Sequence, residues 1–281
     1  MSSGLSIGEC AQLACVLEAS ARKPGNVTRF RDFEDLSYLD FILSAAAIAP
    51  VLQRASQLGV GPAVLEATKA TRRFVTTNSN LGMVLLLTPL AATPGDQPIQ
   101  DGIEKVLDGL TIADAKAAFE AIRLANPGGL GEAPDQDVRG EPTKPLRQVM
   151  ELAADRDLIA RQYANGFREV FEIGLPELAS RPLEDAIIRC HLRLMSVCVD
   201  SQIARKCGPG MAEEARRRAA EVVAGDAGAI ARFDAWLRQD GHCRNPGSTA
   251  DLVAACLFIA LREGRVAIPI EFYARPAEEQ P

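Results

Sequence analysis

Apolar residues recur at intervals of three and four along almost the whole chain, and this periodicity restricts the fold more than any other feature. Ile7, Cys10, Ala14 and Leu17 fall on one helical face. Phe41, Ser44, Ala45, Ile48 and Leu52 do the same within 38–53, and 62–74 repeats the pattern with Pro62 in a tolerated first-turn position. Residues 81–91 are apolar all round, which predicts a centrally buried helix. Segments 99–108 and 112–125 form a helical pair, and Thr111 is placed to cap the second, with Asp114 in its first turn. The pattern resumes over 147–171, 182–204, 211–223, 230–237 and 250–262. Only 266–273 alternates like a strand. The expected fold is all-α: one multi-helix domain over 1–281, packed around 81–91 and 187–199, with a short non-helical C-terminal tail.

Two stretches interrupt the helices with charge. The first is 18–35, where a helix ending in Glu18, Arg22 and Lys23 meets Pro24-Gly25 and returns with Asp32, Glu34 and Asp35. Pro24 cannot continue a helix, and Gly25 lets the backbone come close to a ligand. The stretch reads as a binding loop or as a solvated connection between helices. The second is 126–144, rich in Gly and Pro and carrying Glu132, Asp135 and Asp137. A long acidic loop between similar helical segments reads better as a second binding loop than as an interdomain linker.

Charge and thiol content narrow the chemistry. The net charge is -6 with acids and bases interspersed, which is no footprint for nucleic acid. No apolar run is long enough to span a bilayer, and the first residues carry no export signal. Seven scattered cysteines without a CxxC pair fit reduced thiols in the cytoplasm, mostly as small core side chains. Two histidines are too few for a His-rich metal site, and Cys190-His191 with His242-Cys243 lacks the spacing of a zinc site. Neither GxGxxG nor GxxxxGK[ST] is present. What remains is carboxylates beside Lys and Arg in Gly/Pro turns, a set suited to Mg²⁺ and a phosphorylated substrate.

Four segments in order carry a family resemblance: 18–35, with Glu18 and Lys23-Pro24-Gly25; 77–82, with Thr77-Asn78 and Gly82; 200–208, with Asp200, Arg205 and Gly208; and 245–252, with Asn245-Pro246-Gly247 and Ala250-Asp251. Together they resemble the triphosphoribosyl-dephospho-CoA synthase family over most of the chain. Three positions depart from its pattern: Thr28 for an acid, 30–35 without a histidine, and Leu81 for a lysine.

The resemblance implies an all-helical transferase that moves a triphosphoribosyl group from ATP to dephospho-CoA and releases adenine. It implies ATP and a dephospho-CoA-like acceptor as small-molecule partners, with Mg²⁺, and it leaves a homodimer open. Lys23 and Arg205 are the implied phosphate ligands, and Glu18 and Asp200 the implied base or metal ligands. Asp32 and Asp35 complete the expected metal set. Gly25, Asn78, Gly82, Asn245, Gly247 and Asp251 match the binding motifs, and Asn26, Asn80 and Lys206 flank them. Asp200 falls near the C-terminal end of 182–204, where the helix dipole disfavours a carboxylate, so a cation is expected beside it. Salt bridges at helix ends are the competing account of these charges. Two other functions fit the same residues: a related transferase in one-carbon cofactor assembly, and a nucleotide-binding protein without catalysis.

Overall fold

A computed structural model describes residues 4–129, 131–179, 182–225 and 228–273. Residues 1–3, on which the absence of an export signal was partly read, lie outside them. The helices are α1 (Ile7–Ser20), α2 (Tyr38–Leu52), α3 (Ala55–Leu58), α4 (Val60–Arg72), α5 (Leu81–Ala92), α6 (Ile99–Asp108) and α7 (Ile112–Ala125). After the 126–144 loop come α8 (Leu146–Glu151) and α9 (Leu158–Asn165). A π-turn at Val170–Gly174 and a 3₁₀ turn at Leu175–Ala179 lead to α10 (Leu183–Val197) and α11 (Ser201–Cys207). The chain then forms α12 (Pro209–Val223), α13 (Ala229–Leu237) and α14 (Gly247–Arg262). Among the described residues there is no strand, only an isolated bridge between Thr28 and Arg31.

Local chemistry explains most of the helix starts. Ser6, Ser37 and Thr111 each close a capping box with the acid three residues on: Glu9, Asp40 and Asp114. Helix α5 is buried on every side, as its composition predicts; Leu86, Leu87 and Leu90 are fully enclosed and contribute about 1.5–3 kcal/mol each. The second central helix is α14, not the 187–199 stretch. Leu252 to Leu261 of α14 are without exposed surface, and α14 packs on α1, α5 and α10. Helix α10 keeps one stripe exposed, Asp185, Arg189, Arg193 and Val197.

Three expectations change. The 182–204 helix breaks at Cys198, because Asp200 starts a new helix by accepting the N–H groups of Gln202 and Ile203. The 147–171 helix breaks in the same way at Asp157, which accepts from Ile159 and Ala160. The 266–273 segment has no strand to pair with. It lies against the start of α10 instead, and its Glu271 and Phe272 carbonyls accept the Leu183 and Glu184 N–H groups that a helix N-terminus leaves over. The thiol reading is also corrected at two positions. Cys207 and Cys243 are joined as a disulfide between α11 and the loop before α14, while the other five cysteines are free and buried.

Candidate active site

The four segments that carry the resemblance come from distant parts of the chain and meet in space. The end of α1 brings Glu18, the following loop Asn26, the start of α5 Asn78 to Gly82, and the start of α14 Asn245 to Asp251. All of them line one polar pocket of about 70 Å³, together with Gln202 of α11. A larger cavity of about 380 Å³ adjoins it and shares Asn78, Leu81, Gly82, Gln202 and Asp251. Arg205, Arg156 and Asp157 lie along this second cavity, and the 126–144 loop forms part of its wall. The loop reading of 126–144 thus has a physical basis.

Close backbone packing makes the junction. A Cβ at Gly82 would sit 1.9 Å from Asp251 Oδ2, and one at Gly247 would sit 2.2 Å from Gln202 Oε1. Only glycine allows α5 and α11 to approach α14 this closely. Asn26 Nδ2 donates to Asn245 Oδ1 at 2.7 Å, and its buried Oδ1 has no partner. Asn78 Oδ1 accepts the Leu81 N–H at 3.2 Å, and Asn80 donates to Thr71 at 3.1 Å, so both asparagines shape the start of α5.

The three carboxylates at the centre differ in their partners. Glu18 is buried and forms an ion pair with Lys23 Nζ at 2.9 Å; burial nevertheless holds its pKa above the ordinary value. Asp200 is buried and accepts four hydrogen bonds: from Gln202 N (2.9 Å), Ile203 N (3.0 Å), Thr249 N (2.7 Å) and Thr249 Oγ1 (2.8 Å). Burial raises its pKa too, and the hydrogen bonds oppose the rise. Asp251 has no hydrogen bond or ion pair among the described residues. Burial first, and then the neighbouring Glu18 and Asp200 charges, push its pKa well above the usual carboxylate range.

Several expected roles are relocated. Lys23 points inward: its ammonium group is fully enclosed and donates to both the carboxylate and the carbonyl of Glu18, so it does not reach into the pocket. Gly25 has φ +79°, and the space beside it is filled by Leu237 and Pro246, so it serves packing and not the approach of a ligand. Lys206 is exposed on α11. Arg205 does line the larger cavity; one nitrogen pairs with Asp157 at 2.7 Å, while its buried Nε has no partner. Asp200 is at a helix start, not a helix end, so the dipole favours its charge.

The expected metal set does not assemble. Asp32 accepts the Tyr38 N–H at 2.6 Å, Asp35 is exposed beside His242 Nδ1 at 3.5 Å, and Glu18 and Asp200 are engaged as described. Among the described residues, no group of three or more His, Cys, Asp or Glu is arranged to hold a metal ion. His191 is fully buried on α10, and burial lowers its pKa to about 3.

Sequence reasoning passed over Gln202, Thr249 and Asp157 as functional residues. The first two lie inside the quoted motifs, and their signal is position: each follows a helix start, where side chains and N–H groups face the same space.

Comparison with known proteins agrees with this geometry. No curated protein matches the chain. A solved structure from Archaeoglobus fulgidus, which carries the provisional name triphosphoribosyl-dephospho-CoA synthase, is similar with a TM-score of 0.66 and 28% identity. That likeness covers 79% of this chain and 98% of the other. The CitG family pattern, described as ATP:dephospho-CoA triphosphoribosyl transferase, matches residues 5–269, and the chain therefore belongs to that family.

Proposed function

We propose that Asp251 is the general base in the reaction that defines the family, the transfer of the triphosphoribosyl group of ATP to dephospho-CoA. One observation carries this assignment: Asp251 is a carboxylate without partners, with raised proton affinity, where the two cavities meet. A base needs an uncommitted lone pair and benefits from a raised proton affinity, and Asp251 is the site carboxylate that combines the two.

The reaction breaks the bond between ribose C1' of ATP and adenine N9 and forms a bond from C1' to the acceptor 2'-oxygen. Asp251 takes the proton from that hydroxyl. Adenine leaves with the C–N electron pair and picks up a proton. Positive charge develops on the ribose ring at the transition state, and Glu18, held in place by Lys23, lies in the same pocket to stabilise it. The triphosphate is placed at the first turns of α5 and α14, whose N–H groups and dipoles favour anions. Asp200 ties α11 to α14 through Thr249 and so positions both helices.

Mg²⁺ would be brought by the nucleotide itself, supplying charge neutralisation to the triphosphate, since Glu18, Asp32 and Asp200 are engaged elsewhere in the fold. Calorimetry showing equal ATP affinity with and without Mg²⁺ would remove the ion from the proposal. We infer a cytoplasmic reaction from its substrates, ATP and dephospho-CoA. No helix among the described residues is long and apolar enough to cross a membrane. Incubation with Mg-ATP and dephospho-CoA should yield free adenine and a triphosphoribosyl adduct by mass analysis. Saturable ATP binding without adenine would instead favour a non-catalytic binder.

A further inference from the structure

We propose that the larger cavity receives the uncharged arm of the acceptor, the amide- and thiol-bearing pantetheine chain of dephospho-CoA. The proposal rests on the transferase reading above and adds to it the part of the acceptor that is recognised away from the reacting hydroxyl.

Size and lining separate the two cavities. The pocket of about 70 Å³ is small and mixes polar side chains around Glu18 and Asn26 with Leu36, Phe41 and Met83. The adjoining cavity of about 380 Å³ falls in the range of roughly 300–1,000 Å³ typical of small-molecule sites. Its inner wall is apolar, built by Leu85, Phe119, Ile122, Leu146, Val149 and Met150. Such a wall gives a polyphosphate nothing to bind, and it suits a flexible chain that is mostly methylene and methyl groups.

Charge gives the direction. On the loop side, Glu132, Asp135 and Asp137 line the cavity. Arg139 pairs with Glu132 and Asp137, and Lys144 pairs with Asp135, so the cations of this loop are already engaged by its acids. Paired in this way, the loop offers a phosphate no uncommitted cation, whereas Arg205 and the helix starts lie on the other side. An acceptor with its ribose at Asp251 and its diphosphate near Arg205 has only the loop side left for its arm. Asp251 belongs to both cavities, so one molecule can occupy the larger one and still present its hydroxyl to the base.

ADP is dephospho-CoA without this arm and keeps the same ribose hydroxyls. The full chain is assayed with saturating Mg-ATP and either dephospho-CoA or ADP as acceptor, following adenine release and adduct mass. Dephospho-CoA should exceed ADP in kcat/KM by ~10–200-fold or more, the scale of filling an apolar subsite. Ala153→Phe, at a half-buried position on the cavity wall, should raise KM for dephospho-CoA at least ~10-fold. It should leave KM for ATP and the slow reaction with ADP unchanged. Val149→Phe is the second variant, with thermal unfolding recorded for both. Equal use of dephospho-CoA and ADP, or variants that impair both acceptors alike while folded, would overturn the arm site and leave the transferase reading standing. No adenine from either acceptor would overturn both.

Discussion

The turn entering α11 and the N-terminal half of α14 carry two carboxylates, Asp200 and Asp251, that both lose water but differ in their partners: Asp200 is buried, and Asp251 is partly buried where the two cavities meet. Asp200 has four donors on it, and Asp251 has none. Both are pushed towards the neutral form by loss of water. In Asp200 the hydrogen bonds compensate, and the result is a joint between helices. In Asp251 only the Arg205 charge opposes the rise, and the result is a group that binds a proton readily. Reactive potential at this site comes from a missing partner, not from the residue type.

The sharpest test of that contrast is the pair of amide variants. Asp251→Asn should lower kcat for adenine release by ~10²–10⁴-fold, the range for loss of a general base, with the unfolding temperature unchanged or raised because an unpaired, partly buried charge is gone. Unchanged kcat would break the comparison. Lys23→Met leaves Glu18 buried without its cation and should cost about 3–5 kcal/mol of stability, measured by urea unfolding. A rise in KM for ATP with stability intact would instead return Lys23 to the phosphate site. Asp200→Asn turns an amide donor towards some of the N–H groups it now accepts from. It should cost about 1–3 kcal/mol, with a smaller loss of kcat per folded molecule than Asp251→Asn.

The smallest effect is in the pH dependence. The pKa of folded Asp251 is raised above its unfolded value. Between those values the native state binds more protons than the unfolded chain, so this group's contribution to stability falls as pH rises through that window and recovers as pH falls. Activity runs the opposite way, because the base must be ionised: kcat/KM should drop on the acid side at a pH above the ordinary carboxylate range. Glu18 and Asp200, also raised, act in the same direction on stability. An Asp251→Asn enzyme should lose the largest part of this slope, and a slope unaltered in that variant would assign it to the other two.

Most of the helices, and the four motif segments that build the site, are legible in the sequence, because amphipathic spacing and capping residues act locally. The break at Asp200 was not legible from periodicity. Apolar residues keep a helical interval across 194–203, so the pattern runs on through a turn that the chain makes. The usable signal was the aspartate itself, whose side chain competes for the N–H groups of the next two residues. The inward turn of Lys23 was hidden for a different reason. A lysine before Pro-Gly reads as a surface group, and only the buried Glu18, placed by α1 packing, makes enclosure of its ammonium favourable. Likewise, no local rule identifies Asp251 as the carboxylate without donors. That depends on the company kept by Glu18 and Asp200, which belong to other helices.

Gly82 and Asp251 are far apart in the chain and nearly touch in the fold. Any side chain at position 82 claims the volume that a carboxylate oxygen of Asp251 now occupies. Position 82 can therefore not drift while the acid stays in place: a larger residue there would require Asp251 to move or to be shortened, which would forfeit the acid where it now sits. Loss of the acid at 251 would open position 82 to side chains, so the order of change on the way to a relative with different chemistry is 251 first and 82 second.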